Sequence, residues 1–248
     1  MISYIGSETT AEQSSSGYHD LTINVPSDCT YVVLVGRSPN HPYTLDNPTI
    51  NGVSTATLYD YSVAGYIYKS IAMRGLANPS TGSQTLRVYV NGYTVQWDVL
   101  YFKGVLGTSN VGQTNGNGTQ SISTSTGVST SFTPNHTDSL IVGALVWDGI
   151  NNNSLYPSQS GMTTVIDDSY VGQTRGLTGY NIISSGGTKT ITYSWSSQYA
   201  ATVCAQIEIY AAPSGPANIK TFNGLATAST KTVNGLAIGS VKSKNGLT

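Results

Sequence analysis

Charge is what this sequence has least of. Only 9% of its 248 residues are Asp, Glu, Lys or Arg, against about 25% in an average globular protein. Hydrophobic residues still make up 38%, which is enough to build a core and excludes a charge-swollen disordered chain. Cysteine is nearly absent too. Cys29 and Cys204 cannot make a disulfide framework, and both lie beside or within apolar strand patterns, so they read as buried free thiols. No apolar run approaches the ~20 residues that span a bilayer; the longest is about five, YVVLV at 31–35. Membrane insertion is not expected. The opening stretch MISYIGSETTAEQSSS has neither a basic n-region nor an apolar h-region, so no secretory signal is expected.

Helical periodicity is missing as well. Apolar residues do not recur at i, i+3, i+4, i+7 over any stretch free of Gly, Pro or β-branched dominance. What is present is strand pattern. LTINV (21–25), TLRVYV (85–90), TKTITYSW (188–195) and AQIEIY (205–210) all alternate. Leu86, Val88 and Val90 take one face and Thr85, Arg87 and Tyr89 the other, while Ile191, Tyr193 and Trp195 take core positions in the matching later strand. Seven Asn-Gly pairs occur, and Asn-Gly is a strong two-residue hairpin signal. Asn91-Gly92 predicts a long hairpin joining TLRVYV to YTVQWDVLYF, with a matching closing hairpin late in the chain.

The second half repeats the order of the first. An apolar strand (YVVLVG, 31–36; DSLIVGALVW, 138–147) is followed by a loop, a short strand (VSTATLYD, 53–60; MTTVIDD, 162–168) and a longer one (AGYIYKSIAMR, 64–74; RGLTGYNII, 175–183). GSQTLRVYV aligns with GTKTITYSW at an offset of 105, and VQWDVLYF with VCAQIEIY at 108. The expected fold class is all-β: two tandem antiparallel β-sandwiches, jelly-roll or immunoglobulin-like, from an internal duplication. The expected domains are 1–106, 107–212 with a linker and first strand at 107–127, and a C-terminal docking repeat at 213–248.

Catalytic patterns are scarce. His19, His41 and His136 lack zinc-ligand spacing. There is no Gly-x-Ser-x-Gly elbow and no phosphate loop. Asp167-Asp168 is the single adjacent acid pair, and successive strand residues point to opposite faces. The oxygen-rich loop 148–153 does not match an EF-hand and reads as a polar turn. No catalytic residue, metal or cofactor is expected, and no enzymatic activity. Seventeen tyrosines stand out. Tyr packs well on sheets, yet its amphipathic ring also suits interfaces and sugars. Tyr43, Tyr156, Tyr170 and Tyr199 fall near predicted loops and are candidate glycan or interface contacts.

The last 29 residues repeat Lys-(Thr/Ser)-x-Asn-Gly-Leu every 11 residues. The units place Lys220, Phe222, Asn223, Gly224 and Leu225; Lys231, Val233, Asn234, Gly235 and Leu236; and Lys242, Asn245, Gly246 and Leu247 in register. Residues 213–248 hold four lysines and no acid, so the body before them is left with seven basic residues against twelve acidic ones, a net −5. A basic tail on an acidic body suits docking on an acidic neighbour. Four lysines without arginine are poor support for nucleic-acid binding. Asn-Gly turns at this spacing predict nine-residue strands, LATASTKTV and LAIGSVKSK, in a ribbon too thin to stand alone in water. It would order against a partner surface.

NIKTFNGLATASTKTVNGLAIGSVKSKNGL, within 218–248, resembles a repeat at the C-terminus of many tailed-bacteriophage virion proteins, of the form IKTxNGLA-x-ASxKTxNGLAIASxKSxNG. It departs from that form at Thr230 and Lys244, where apolar residues are usual. More weakly, ISYIGSETT followed by LTINVPS is similar to the opening of phage β-sandwich modules in tail and fibre proteins. The resemblance implies a non-enzymatic component of the virion surface, assembled in the host cytoplasm and released by lysis. A tail-associated fibre or adhesin is the first role it suggests, with capsid decoration, a head fibre or a collar protein as the alternative. Its partners would be other tail, baseplate or capsid proteins, copies of itself (a trimer is one such form) and host-surface glycan. A stand-alone carbohydrate-binding module, or a glycan hydrolase, is the competing reading of the body.

Overall fold

The structure, a computed structural model, describes residues 2–39, 45–63, 69–105, 111–119, 127–134, 139–148, 158–167, 174–184, 187–194 and 202–210, with four strand pieces at 221–222, 225–226, 232–233 and 236–237. Every element among them is a β-strand, and every pairing is antiparallel. Met1–Tyr210 forms one compact unit and Ala211–Thr248 a second.

In the first half β1 (Ser3–Thr9), β3 (Tyr31–Ser38), β6 (Ala56–Val63), β7 (Lys69–Ala77) and β9 (Gln96–Lys103) form a five-stranded sheet in the order β1-β9-β3-β7-β6. β2 (Gly17–Val25), β4 (Thr49–Ile50), β5 (Val53–Ser54) and β8 (Gly82–Val90) form a second sheet, β2-β8-β4-β5. The second half repeats this plan. β10 (Val111–Thr119), β12 (Ser139–Asp148), β14 (Thr163–Asp167), β15 (Thr174–Ile183) and β17 (Thr202–Tyr210) run in the order β10-β17-β12-β15-β14. β11 (Gly127–Phe132), β13 (Ser158–Ser160) and β16 (Lys189–Ser194) make the companion sheet β11-β16-β13. Substituting β10 for β1 and β17 for β9, and so on along the chain, turns one strand order into the other.

Each half is a sandwich with its own core. In the first, Ile23, Val25, Leu86, Val88 and Val90 from the four-stranded sheet meet Val32, Leu34, Trp97, Val99 and Tyr101 from the five-stranded one. In the second, Val128, Ile191 and Tyr193 meet Ile141, Leu145, Trp147, Leu177 and Cys204. The smaller sheets keep one wet face, so β8 alternates exposed and buried along its length. The larger sheets do not alternate. β3 is buried at every residue, and β9 at all but the last.

The second face of each large sheet is covered by the other half. β7 packs on β12 and β17, β3 on β12 and β15, β1 on β14, and β6 on β10. Exchanging the halves maps β7 on β12 onto β15 on β3, and β1 on β14 onto β10 on β6, as in a two-fold dimer folded from one chain, while β7 on β17 has no counterpart of equal extent. Tyr4 stacks on Tyr180 at 4.6 Å, and Phe102 meets the same ring edge-on at 5.8 Å. Fully burying a Val, Leu or Ile is worth about 1.5–3 kcal/mol. That is why strands such as YVVLV carry apolar residues at consecutive positions.

Three expectations change. Asn91-Gly92 does not close a hairpin, because β8 and β9 lie in different sheets of the sandwich. Only Gly92 of that pair has positive φ, 74°, whereas a type I′ turn needs it at both residues. β16 and β17 are separated between sheets in the same way. Among the described residues of the body, a two-residue hairpin is at Asn51-Gly52, φ 50° and 76°, between β4 and β5. Likewise VSTATLYD is not one strand. β5 belongs to the small sheet and β6 to the large one, and Thr55 between them donates its hydroxyl to the Pro48 carbonyl at 2.8 Å.

The offset of 108 also fails on side-chain direction. It equates Val99, in the first core, with Ile207. Cys204 points into the second core, so alternation turns Ile207 to the opposite face of its sheet. Only an odd offset keeps inward residues inward.

Candidate functional site

Within the C-terminal unit, β18 (Thr221–Phe222) pairs with β19 (Leu225–Ala226), and β20 (Thr232–Val233) with β21 (Leu236–Ala237). Phe222 stands opposite Leu225 and Val233 opposite Leu236. Two residues separate each couple, Asn223-Gly224 and Asn234-Gly235, the number that suits a tight hairpin connection. The described strands are two residues long and form two separate ribbons. Of the nine-residue strands expected at LATASTKTV and LAIGSVKSK, the described residues are Leu225, Ala226, Thr232 and Val233 in the first and Leu236 and Ala237 in the second; the rest lie outside the described residues. Lys220, Lys231, Lys242, Asn245, Gly246 and Leu247 lie outside the described residues, as do Asn223, Gly224, Asn234 and Gly235.

Tyr43, Tyr156, Tyr170 and Tyr199 also lie outside the described residues, as do His41 and His136. The exposed tyrosines of the body are elsewhere. Tyr18 on β2 and Tyr89 on β8 are directly opposed across the ladder, 74% and 39% exposed. Their rings meet edge to face at 5.1 Å. Among the described residues the exposed large hydrophobics are Tyr18, Tyr89, Val53 and Ile182, so the tyrosines are the aromatic pair of that set.

One rung along, Asp20 faces Arg87. Arg87 Nε and Nη2 donate to the two carboxylate oxygens at 2.6 and 2.7 Å, with both side chains about half exposed. This fork holds the Asp20 carboxyl below its usual range and raises the guanidinium in turn. The next rungs on this face are Thr22 opposite Thr85 and Asn24 opposite Ser83. The outer face of the second half is different. Ser129–Thr192, Ser131–Thr190 and Thr133–Thr188 form a ladder of hydroxyl pairs at 2.9, 2.8 and 3.0 Å.

The His19 Nε2 lies 2.8 Å from the Ser15 carbonyl oxygen, which can only accept. Nε2 therefore carries the proton and cannot take one from the Ser15 hydroxyl 3.4 Å away. Both cysteines are buried free thiols. Burial pushes Cys204 up to about 12 and raises Cys29, whose shift is partly offset by hydrogen bonding with the backbone of Tyr31 and Phe102. Among the described residues no three His, Cys, Asp or Glu groups converge as a metal site.

A fully enclosed ion pair lies on the face where the halves meet. Arg37 Nη2 donates to Asp98 Oδ1 at 2.7 Å with both side chains fully enclosed. Thr9 donates to the same oxygen at 2.8 Å, and Thr178 from the second half donates to Oδ2. Arg37 also fills the space over Gly176. Arg37, Asp98 and Thr178 are all fully enclosed, and the chemistry of the network is that of a registration device between the sheets.

Alternation places Tyr89 and Arg87 outward from the sequence alone. That they meet Tyr18 and Asp20 depends on a register between strands nearly seventy residues apart, which no local signal encodes. No known family matches the chain, and no curated protein matches it in sequence. Among solved structures, a conserved protein of unknown function from Pseudomonas aeruginosa PAO1 shares 10% identity over 82% of this chain and 80% of that one, with a TM-score of 0.32. A likeness that distant carries neither fold nor function across.

Proposed function

We propose that the chain is a non-enzymatic structural protein of the surface of a tailed-bacteriophage particle, attached by its C-terminal repeat and displaying the double sandwich outward. A tail-associated fibre or adhesin is the role we favour, with capsid decoration, a head fibre or a collar protein as the alternative placement. The observation that carries the reading is the repeat itself. Three Lys-(Thr/Ser)-x-Asn-Gly-Leu units recur at an 11-residue period, and the first two flank their Asn-Gly pairs with the couples Phe222–Leu225 and Val233–Leu236. Ribbons of two-residue strands bury too little to persist unaided, so this unit calls for a partner surface. Its four lysines suit an acidic one, and copies of the same chain would supply further ribbons.

Deleting 214–248 tests the reading. Particles assembled with the truncated chain should lack it after density-gradient purification, while the truncated protein accumulates in the soluble fraction of the lysate. Normal incorporation of the truncated chain would overturn the attachment role. A second reading, a carbohydrate-binding module acting without a particle, is favoured by the Tyr18–Tyr89 pair.

A further inference from the structure

The outer face of β2 and β8 displays what most proteins hide. Tyr18 is 74% exposed, and nothing in its own sandwich requires it there, because the core beneath is closed by Ile23, Leu86, Val88 and Val90. Next to it lies a charge pair that is internally neutral. We propose that this face is a saccharide-binding site for neutral hexose chains. Tyr18 and Tyr89 would offer the aromatic surface, and the Asp20–Arg87 fork the hydroxyl contacts.

Geometry and charge select this occupant. Successive rungs on one face of a strand are about 6.8 Å apart, close to the width of one pyranose and its substituents. A sugar stacked on the tyrosines therefore sets its hydroxyls over the fork. Arg87 uses Nε and Nη2 on Asp20, so the fork itself does not use the Nη1 donors or the second lone pair of each carboxylate oxygen. Adjacent donors and acceptors match a vicinal diol, whose hydroxyls both give and accept. A strongly anionic polymer would meet Asp20, and a cationic one Arg87, each already neutralised by its partner. The rungs beyond, Thr22–Thr85 and Asn24–Ser83, add no charge of either sign. A protein partner would need about 800 Å² per side with an apolar centre. Here two rings are followed by six polar residues, which is too little for that and enough for a sugar chain.

The inference rests on the function proposed above only for the source of the saccharide, a host surface. The binding chemistry stands on this face alone. Its test is therefore made on the full chain in solution, away from any particle. The protein is passed over immobilised mannan, dextran and galactan, with a polysialic acid surface as the anionic probe. Binding to at least one neutral polymer is expected. Tyr18→Ala and Tyr89→Ala should each weaken it ten-fold or more, Tyr18→Phe by less than three-fold, and Arg87→Ala about ten-fold. Thr192→Ala, on the opposite outer sheet, should leave it unchanged. Unaltered thermal unfolding of each variant shows that the fold is intact. No binding to any neutral polymer, preference for the anionic one, or binding indifferent to Tyr18→Ala and Tyr89→Ala would overturn the proposal. So would self-association of the wild type that Tyr18→Ala abolishes, since the face would then be an interface between copies. Loss of particle incorporation on tail deletion is read separately, so either proposal can fail without the other.

Discussion

Asp98 of the first half accepts a hydrogen bond from Thr178 of the second, with neither residue reached by solvent. The carboxylate is fixed on its other oxygen by Arg37 and Thr9. Apolar residues such as Val33, Val35, Leu100, Val142, Ala144 and Ile207 alternate away from the cores of their own halves, and by themselves they would let the sheets slide past each other with little change in apolar area. A buried ion pair that also bonds the opposing sheet penalises every position but one. Such pairs add little net stability but can set registry.

Removing one partner should therefore cost more than removing both. Asp98→Ala removes the enclosed ion pair with Arg37 and the acceptor of Thr9 and Thr178, at a cost of about 3–5 kcal/mol. The double variant Arg37→Met, Asp98→Leu should unfold closer to wild type than Asp98→Ala or Arg37→Met alone. Urea titrations of the four proteins give the comparison. A double variant as unstable as the worse single one would show that the pair contributes more than registry.

The backbone next to Arg37 is equally constrained. A methyl group at Gly176 would lie 2.2 Å from Arg37 Nη1 and 2.5 Å from the Leu145 carbonyl oxygen. The arginine tip could shift, but the carbonyl belongs to the β12 ladder and cannot. Gly176→Ala should cost about 1–3 kcal/mol, the usual range for overpacking. At Gly6 the same methyl would meet only the Tyr101 ring, at 3.8 Å, so Gly6→Ala should be close to neutral in the same unfolding assay.

How far the sequence reveals this arrangement depends on the range of each signal. TLRVYV shows its two faces because alternation is a property of six consecutive residues, and β8 buries and exposes them in that order. The all-β class, the buried thiols and the repeated strand order are visible for the same reason. YVVLV shows that a strand is buried on both faces but not what covers the second one; the sign that a partner sheet lies there is polar, Arg37 and Asp98 inside apolar strands. Asn91-Gly92 misleads because a turn signal says that the chain reverses, not whether it stays in its sheet. The contrast between alternating β8 and continuously buried β9 holds the answer. Asn115-Gly116 and Asn117-Gly118 lie within β10 rather than at turns, since pairing along β17 outweighs local preference. The tyrosine pair was hidden because its two members come from opposite ends of the first half.

Thiol chemistry tests the burial of both cores at once. Only the thiolate reacts with a disulfide reagent, and the Cys204 thiol is pushed up to about 12 by burial in the second core, while Cys29 is raised by burial at the first. Native protein at pH 8 should therefore show no reactive thiol over the minutes in which denatured protein shows two. The sign of the linkage follows. A group whose folded value is raised contributes stability that is complete below its unfolded value, near 8.5 for a thiol, and is lost as pH rises toward the folded value. Between pH 8.5 and 10, Cys204 should remove stability at on the order of 1 kcal/mol per pH unit. A Cys204→Ala variant should start less stable, because it leaves a small void, but decline more gently over that window. Parallel slopes for the two proteins would mean that Cys204 does not ionise on unfolding in the way its enclosure requires.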